Sequence, residues 1–272
     1  MGEGQGEGDE MTAQHDYQTL TIEHDGPITR VWLNRPERRN ALNALALEEI
    51  AAAFTELQQR FETPVVILGG RGQSFCAGAD RKDPPSTRMS KGSGAGARER
   101  RYAAQIGRRA VEAIEQLEAI TIARIHGHAI GGGLVLALAC DLRIAAASAG
   151  FHIPEVDLGI PLSWGAAPRL AREIGTARAK ELILLCDRFD AATAERYGML
   201  NRVVADGALD AAVDEWAQRL AAKAPAALHM TKTQFRAYAR TATLGDATEA
   251  DGDLLAAAAR EDPGRFGFPP RK

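Results

Sequence analysis

The chain has 272 residues, of which 45% are hydrophobic and 25% are charged, and this balance is typical of a globular protein rather than a disordered one. Its 33 basic and 36 acidic side chains give a formal net charge of −3, so the strongly basic surface of a nucleic-acid-binding protein is excluded. No apolar run is long enough to predict a membrane-spanning helix. Three widely separated cysteines, Cys76, Cys140 and Cys186, form no CxxC pair, so we expect neither disulfides nor a zinc site, and a cytoplasmic location.

The N-terminal residues 1–16 are rich in glycine and carry five acidic and no basic side chains, so we expect a disordered tail. Strand patterns follow at 19–23, 28–33, 65–68, 121–125, 142–147 and 203–204. Between them lie helical patterns at 43–61, 98–118, 165–174, 177–185 and 191–197, and Asn43 can cap the first of these. From 208 to 260 the pattern is helical throughout, with breaks near 225 and 244.

This alternating order predicts an α/β fold with a helical C-terminal region. We divide the chain into the tail (1–16), an α/β core (17–205) and the C-terminal helical region (206–272). Residues 83–97 are rich in proline, glycine and serine and predict a long loop, of the kind that is often functional.

Two glycine-containing segments could present backbone N–H groups at the ends of strands. The first runs from Ser74 to Asp80 after the strand at 65–68, and the second runs from His128 to Gly133 before an apolar helical segment. Glycines allow a ligand to approach closely, and two N–H groups that converge on one oxygen form an oxyanion hole. Ordinary turns are the alternative interpretation. Neither segment has the spacing of a nucleotide-binding loop, and the GxSxG-like stretch around Ser74 lacks its final glycine.

Four motifs occur in one order along the chain, and together they resemble the crotonase superfamily, also called the enoyl-CoA hydratase/isomerase family. The motifs are Leu33-Asn34-Arg35-Pro36 with Asn40-Ala41-Leu42; Phe75-Cys76-Ala77-Gly78-Ala79-Asp80; Gly131-Gly132-Gly133 with Cys140-Asp141-Leu142-Arg143-Ile144-Ala145; and Phe151, Pro154-Glu155 and Leu158-Gly159-Ile160. The resemblance covers roughly residues 17–240.

The resemblance implies a spiral of ββα units whose C-terminal helices form a homotrimer or a dimer of trimers. It implies an enzyme of fatty-acid metabolism whose substrate is a CoA thioester, with no separate cofactor. The thioester oxygen would accept hydrogen bonds from the N–H groups of Ala79 and Gly132, which would stabilise an enolate.

The acid/base groups implied by the resemblance decide the reaction. Hydratases of this family carry two glutamates, and the two matching positions here are Val135 and Glu155. Because valine cannot move a proton, we favour a Δ3,Δ2-enoyl-CoA isomerase with Glu155 as its sole acid/base. Ser163 replaces the aspartate of dienoyl-CoA isomerases. The alternatives are a hydratase, which would recruit Asp80 or Asp157 or would work by a slower mechanism with Glu155 alone, and a non-catalytic acyl-CoA-binding protein. Glu155 could also be a solvated or helix-capping carboxylate.

The remaining site residues are also implied by the resemblance. The acyl pocket would involve Val135, Leu162 and Trp164, together with the loop near Met89. Coenzyme A would lie near Arg38, Ala41, Ala77, Asp80 and Lys82, although the two cations could equally be solvated surface groups. His152 is close enough to Glu155 in the sequence to touch the substrate or tune the base. His126 and His128 share one face of a strand, but no third ligand accompanies them, so we predict no metal.

Overall fold

A computed structural model describes residues 16–85 and 96–242. The strands of these residues are β1 (Leu20–Asp25), β2 (Ile28–Leu33), β3 (Val65–Gly70), β4 (Ile120–Ile125), β5 (His128–Ile130), β6 (Leu142–Ala146), β7 (Gly150–His152), β8 (Phe189–Asp190) and β9 (Arg202–Val204). The α-helices are α1 (Ala44–Leu57), α2 (Ala97–Ala104), α3 (Ile106–Gln116), α4 (Gly132–Ala139), α5 (Ala166–Ile174), α6 (Thr176–Leu185), α7 (Ala191–Tyr197), α8 (Leu209–Ala221) and α9 (Pro225–Ala242). Short 3-10 helices lie at Pro36–Arg38, Val156–Leu158 and Asp206–Ala208.

The strands form two sheets that the chain visits alternately. The larger sheet has the order β1-β2-β3-β4-β6-β9, and all of its pairs are parallel except β1–β2. The smaller sheet has the order β5-β7-β8. The chain passes from β4 to β5 and from β6 to β7, and after β3 it reaches Cys76, which forms a parallel bridge with Ala129 of β5. This repeated crossing produces a spiral of strand–strand–helix units and confirms the predicted α/β class.

Strand β3 is buried along its whole length because both faces of the larger sheet are covered. Val66 and Leu68 face the main core, which contains residues of α1 and α3, whereas Val65 and Ile67 face a second cluster that includes residues of α8. Alternate side chains of a strand point to opposite faces, so a strand that is covered on both sides has to be apolar at every position. This explains the continuous apolar run in the sequence.

Helix α1 begins where the sequence predicts and ends earlier. The Asn43 side chain accepts a hydrogen bond of 2.9 Å from the Ala46 amide and caps the helix. The helix ends at Leu57, and Phe61, which we placed at its end, lies outside it and is 82% exposed. The helix predicted at 98–118 is two helices, because the chain breaks at Gln105 between α2 and α3.

Several short elements differ from the predictions. Some further predictions concern residues that the structure does not describe. Strands β5, β7 and β8 were not predicted, because two or three residues are too few to show an alternating pattern. Almost all of the predicted tail, most of the loop at 83–97, Met89 and the break near 244 lie outside the described residues. The boundaries of the three predicted regions stay predictions. Within the described ranges, no helix has the length and apolar character needed to cross a membrane.

Helix α9 is anchored to the core by one buried lysine. The Lys232 ammonium lies 2.7 Å from the Asp141 carboxylate and donates a hydrogen bond of 2.9 Å to the Ala119 carbonyl oxygen. This carboxylate also accepts hydrogen bonds from the backbone and hydroxyl of Thr121. The C-terminal helical region is therefore joined to the strand at the centre of the larger sheet.

We expect Lys232→Met to lower the free energy of unfolding by about 1–3 kcal/mol, because Asp141 would lose its charged partner. The measurement is urea-induced unfolding followed by circular dichroism. Lys223→Met is the matched control, because Lys223 is exposed just before the same helix. Equal stabilities of the two variants would contradict the anchoring role.

Candidate active site

The segment after β3 turns the Ala79 amide away from its neighbouring chain. In the bridge between Leu42 and Ala79, the backbone N–H of Leu42 donates to the Gly78 oxygen, and the Leu42 oxygen accepts from the Asp80 amide, both at 2.8 Å. Because peptide groups alternate in direction along an extended chain, the N–H of Ala79 points to the side opposite Leu42. Among the described residues, this N–H makes no hydrogen bond.

The second segment presents the Gly132 amide at the start of α4. Gly131 precedes the helix with φ +49° and donates a hydrogen bond of 2.9 Å to the His152 oxygen. Gly132 is the first helical residue, so its N–H has no partner inside the helix. The positive end of the helix dipole lies at the same place and favours a negatively charged oxygen there.

Leu42 connects the two segments that carry these amides. Its backbone forms the bridge with Ala79, and its side chain lies against Gly132, where Cδ1 is 3.2 Å from the position that a Cβ would occupy. The two segments also pair directly through the backbone of Cys76. Its N–H donates to the His128 oxygen at 2.9 Å, and its carbonyl oxygen accepts from the Ile130 amide at 3.0 Å. The structure therefore brings the two predicted amide-bearing segments together.

Glu155 lies directly beside this pair of segments. Its Oε1 is 2.5 Å from the position that a Cβ on Gly131 would occupy, so only a glycine leaves room for the carboxylate. Although the residue as a whole is only half-buried, Oε2 is fully buried and has no hydrogen-bond partner among the described residues. Burial disfavours the charged form and raises the pKa of Glu155 to about 7. The buried Oε2 therefore does not belong to a solvated carboxylate, and although Glu155 occupies the N-cap position of the 3-10 helix at Val156–Leu158, its side chain makes no capping hydrogen bond.

The three predicted acyl-pocket residues have different environments. Val135 is 1% exposed and belongs to the main core, and Leu162 is also buried. Trp164 is half-buried and packs against the core with its indole next to Gly132. The indole therefore contacts one of the two amide-bearing segments.

The predicted coenzyme A residues lie on and beside the first segment. Arg38 and Lys82 are exposed cations, whereas Ala41 and Ala77 contribute backbone close to the bridge at Leu42. The Asp80 carboxylate points inward and receives the Arg35 guanidinium at 2.8 Å and the Lys82 amide at 3.0 Å.

The hydrogen bonds of Asp80 decide its ionisation. Burial alone would raise the pKa of Asp80, but the Lys82 and Asp83 amides and the Arg35 guanidinium hold it below its usual range. The carboxylate is thus a structural group of the loop.

Two polar residues without a predicted role hold the first segment in place. Asn40 is 2% exposed with φ +56°, and its side-chain amide donates to the oxygens of Ser74 at 2.8 Å and Arg71 at 2.9 Å. Arg35 joins Asp80 to the Ala41 oxygen. Both residues lie in the first motif of the family resemblance, but that motif does not show that their side chains hold the segment in place.

The histidines turn away from Glu155. His152 donates from Nε2 to the Cys186 oxygen at 2.9 Å, so its ring faces the end of α6. His126 has Gly72 and Arg124 as partners, and His128 lies 3.3 Å from Ser74. Within residues 16–85 and 96–242, no three metal-ligating side chains of the histidine, cysteine and carboxylate types come together.

A separate cavity of about 580 Å³ lies on the α8 side of the larger sheet. Its charged side chains are paired with each other, as in the ion pairs of Arg71 with Glu23 and of Arg124 with Asp210. It shares no residue with the segments around Glu155. Its lining residues are Glu23, Asp25, Arg30, Trp32, Ile67, Gly70, Arg71, Gly72, Arg124, His126, Asp210, Val213 and Asp214.

The family model for enoyl-CoA hydratase/isomerase matches residues 23–268. The chain belongs to the enoyl-CoA hydratase/isomerase family. A short-chain-enoyl-CoA hydratase of Clostridium acetobutylicum is 35% identical over 214 residues, which are 78% of this chain and 79% of that protein. A monofunctional enoyl-CoA isomerase of M. smegmatis has a similar structure, with a TM-score of 0.69, 31% identity and coverage of 83% of this chain and 96% of that one.

A third relative was solved with a ligand. A protein of Thermobifida fusca YX in complex with acetoacetyl-CoA gives a TM-score of 0.74 at 30% identity, with coverage of 90% of this chain and 95% of that one. The crotonase-type fold and the enzyme family are therefore established. Because relatives of both kinds are present, the choice between hydratase and isomerase depends on the residues around Glu155.

We expect Gly131→Ala to lower the catalytic rate by at least about 100-fold, because a Cβ would displace the Glu155 carboxylate and small displacements of a reacting group have effects of this size. Gly175→Ala is the matched control, since Gly175 also has a positive φ (+81°) but has open space around its Cβ position. Each substitution strains the backbone by about 1–3 kcal/mol. Steady-state kinetics and thermal unfolding of both variants separate the two effects, and equal activity losses would contradict the contact.

Proposed function

We propose that the protein is a Δ3,Δ2-enoyl-CoA isomerase in which Glu155 is the sole acid/base. The observation that carries this proposal is the Glu155 carboxylate, whose pKa is raised to about 7 by burial, beside two backbone amides that have no hydrogen-bond partner within residues 16–85 and 96–242. The other position at which a hydratase of this family would carry a glutamate is occupied by Val135, which is buried in the core.

The proposed reaction moves one proton and one double bond. The Glu155 carboxylate removes a proton from C2 of a 3-enoyl-CoA, and the electron pair spreads through C3 and C4 and onto the thioester oxygen. The N–H groups of Ala79 and Gly132 stabilise this oxygen, and each such donor is typically worth about 3–4 kcal/mol. Protonated Glu155 then returns the proton to C4, which leaves a double bond between C2 and C3 and restores the carboxylate.

The environment of Glu155 suits both halves of this cycle. A base whose pKa is close to neutral can accept a proton from carbon and also release it again. Since Oε2 has no hydrogen-bond partner among the described residues, we expect this oxygen to meet the substrate, while the contact of Oε1 with Gly131 restricts the direction of the carboxylate. The reaction needs no water molecule and therefore no second acid.

Hydration is the second candidate, because the relative from Clostridium acetobutylicum is a hydratase. A water molecule would then have to be activated by Glu155 together with another acid. Asp80 is held in its ion pair with Arg35, and Asp157 is exposed on the 3-10 helix that follows Glu155. Neither carboxylate supports the hydratase reading, whereas a non-catalytic acyl-CoA-binding protein would have no need for the raised pKa of Glu155.

For the CoA part of the substrate, we propose that Arg38 and Lys82 bind phosphates and that the backbone of Ala41, Ala77 and Asp80 lies against the adenine. The exposure of both cations beside the first segment supports this assignment. No cofactor is needed besides the coenzyme A of the substrate. The expected assembly is a homotrimer or a dimer of trimers, and the exposed side chains of Met230, Phe235 and Tyr238 on α9 support such an assembly.

We expect Glu155→Gln to slow the conversion of 3-enoyl-CoA to 2-enoyl-CoA by about 10²–10⁴-fold while acyl-CoA binding is preserved. The conversion is followed by the absorbance of the conjugated product, and binding by calorimetry with a saturated acyl-CoA. Asp157→Asn, on the neighbouring turn, is the control and should keep full activity. Rapid loss of crotonyl-CoA absorbance with the unmodified protein would instead identify a hydratase, and an active Glu155→Gln variant would refute the proposed base.

We expect the kcat/KM of isomerisation to fall about tenfold for each pH unit below about 7, because the base acts only when it is ionised. Above this pH the rate should stay level until another group titrates. The measurement is a pH profile at low substrate concentration. A profile that stays level down to pH 5 would show that Glu155 has an ordinary pKa, in contradiction to its burial.

A further inference from the structure

The indole of Trp164 is wedged between two helices through two glycines. A Cβ on Gly107 of α3 would lie 2.0 Å from Cε2 and 2.3 Å from Nε1 of the indole. On the other side, a Cβ on Gly132 would lie 2.5 Å from Cζ3. The ring therefore fills the space between α3 and the first residue of α4, and both glycines are needed to admit it.

The backbone at Trp164 is held in an uncommon conformation. Its φ is +61°, which is rare for a residue with a large side chain, and the next residue, Gly165, has φ +69°. The Arg169 guanidinium donates to the Trp164 oxygen at 3.1 Å and to the Gly165 oxygen at 2.9 Å. It also pairs with Glu115 of α3. This ion pair joins the turn that carries Trp164 to the helix that carries Gly107.

The indole lies next to the Gly132 amide, where the carbonyl group of a substrate would bind. Gly131 faces Glu155 and Gly132 faces Trp164, so the carboxylate and the indole cover two successive residues of one segment. An acyl chain whose carbonyl is bound at the Gly132 amide and whose C2 faces Glu155 would begin next to the indole. Trp164 is half-buried rather than fully buried, so part of the residue is solvent-accessible.

We propose that Trp164 closes the acyl pocket and restricts the enzyme to short acyl chains, with Gly107 and Arg169 as its positioning residues. This proposal rests on the proposed function, since it uses a thioester bound at the Gly132 amide. Removal of the indole opens the space between α3 and α4 to further methylene groups of the chain.

The direct test compares the binding of butanoyl-CoA and decanoyl-CoA to the wild-type protein, Trp164→Ala and Trp164→Leu by calorimetry. Each well-accommodated methylene group can change affinity by about tenfold or more, so we expect the preference for decanoyl-CoA over butanoyl-CoA to rise by at least about tenfold in the alanine variant and by less in the leucine variant. The leucine variant keeps the test valid if the alanine variant fails to fold.

An unchanged preference in a folded variant overturns the chain-length proposal and leaves the proposed function intact. If the wild-type protein binds neither thioester, the proposed function fails and this proposal fails with it. Because both probes are saturated, the outcome does not depend on which reaction Glu155 performs.

A double-mutant cycle tests the wedge itself. In the wild-type background, Gly107→Ala drives a methyl group into the indole and should lower both the melting temperature and the affinity for butanoyl-CoA. In the Trp164→Ala background the clash is gone, so the same change should alter the affinity by less than about twofold and raise the melting temperature, because alanine favours a helix over glycine. Gly96→Ala, at a position with open space, is the control. Equal effects of Gly107→Ala in both backgrounds overturn the wedge.

Discussion

The burial of one carboxylate oxygen that has no hydrogen-bond partner among the described residues is the constraint on which the candidate site depends. Most buried charges are paired, whereas Oε2 of Glu155 has no such partner and Oε1 lies against Gly131. In the folded state its pKa lies above its ordinary value, so the folded protein holds this proton more tightly than the unfolded chain does. The resulting stability is present at acidic pH and is lost as the pH rises through about 7. Its size is roughly 3 kcal/mol, since each tenfold change in proton affinity corresponds to about 1.4 kcal/mol. The ionised form of Glu155, which the proposed reaction needs near neutral pH, is therefore the form that makes the folded protein less stable.

The spiral fold supplies the rigidity that such a site needs. The two amide-bearing segments belong to different turns of the spiral, and they are joined by the bridge from Cys76 to Ala129 and by Leu42. Asn40 and the ion pair of Arg35 with Asp80 hold the first segment in place. These contacts are buried or partly buried, so they favour one direction of the Ala79 amide before any substrate arrives.

The sequence predicts those parts of the molecule whose pattern is local. It does not predict those that depend on contacts between distant segments. The apolar run of β3 and the Asn43 cap are local, and both are confirmed. The strands of the smaller sheet are too short to show a pattern, and the break at Gln105 lies inside a helical pattern that continues on both sides of it. In the site, the motif around Pro154 and Glu155 indicates the carboxylate, but neither its burial nor the inward direction of Asp80 follows from spacing. Both depend on residues 20 to 50 positions away in the chain, such as Gly131 and Arg35.

The two donors proposed to stabilise the enolate are main-chain groups, and this affects how such a protein can change over time. A substitution at Ala79 replaces a side chain but leaves its N–H in place, so the capacity to acidify the carbon next to a thioester is largely protected from point mutation. The groups that decide where the proton goes are side chains, and one nucleotide change can remove or introduce them. A lineage built on this scaffold can therefore exchange one reaction for another at a few positions while enolate formation, the step they share, is inherited with the backbone.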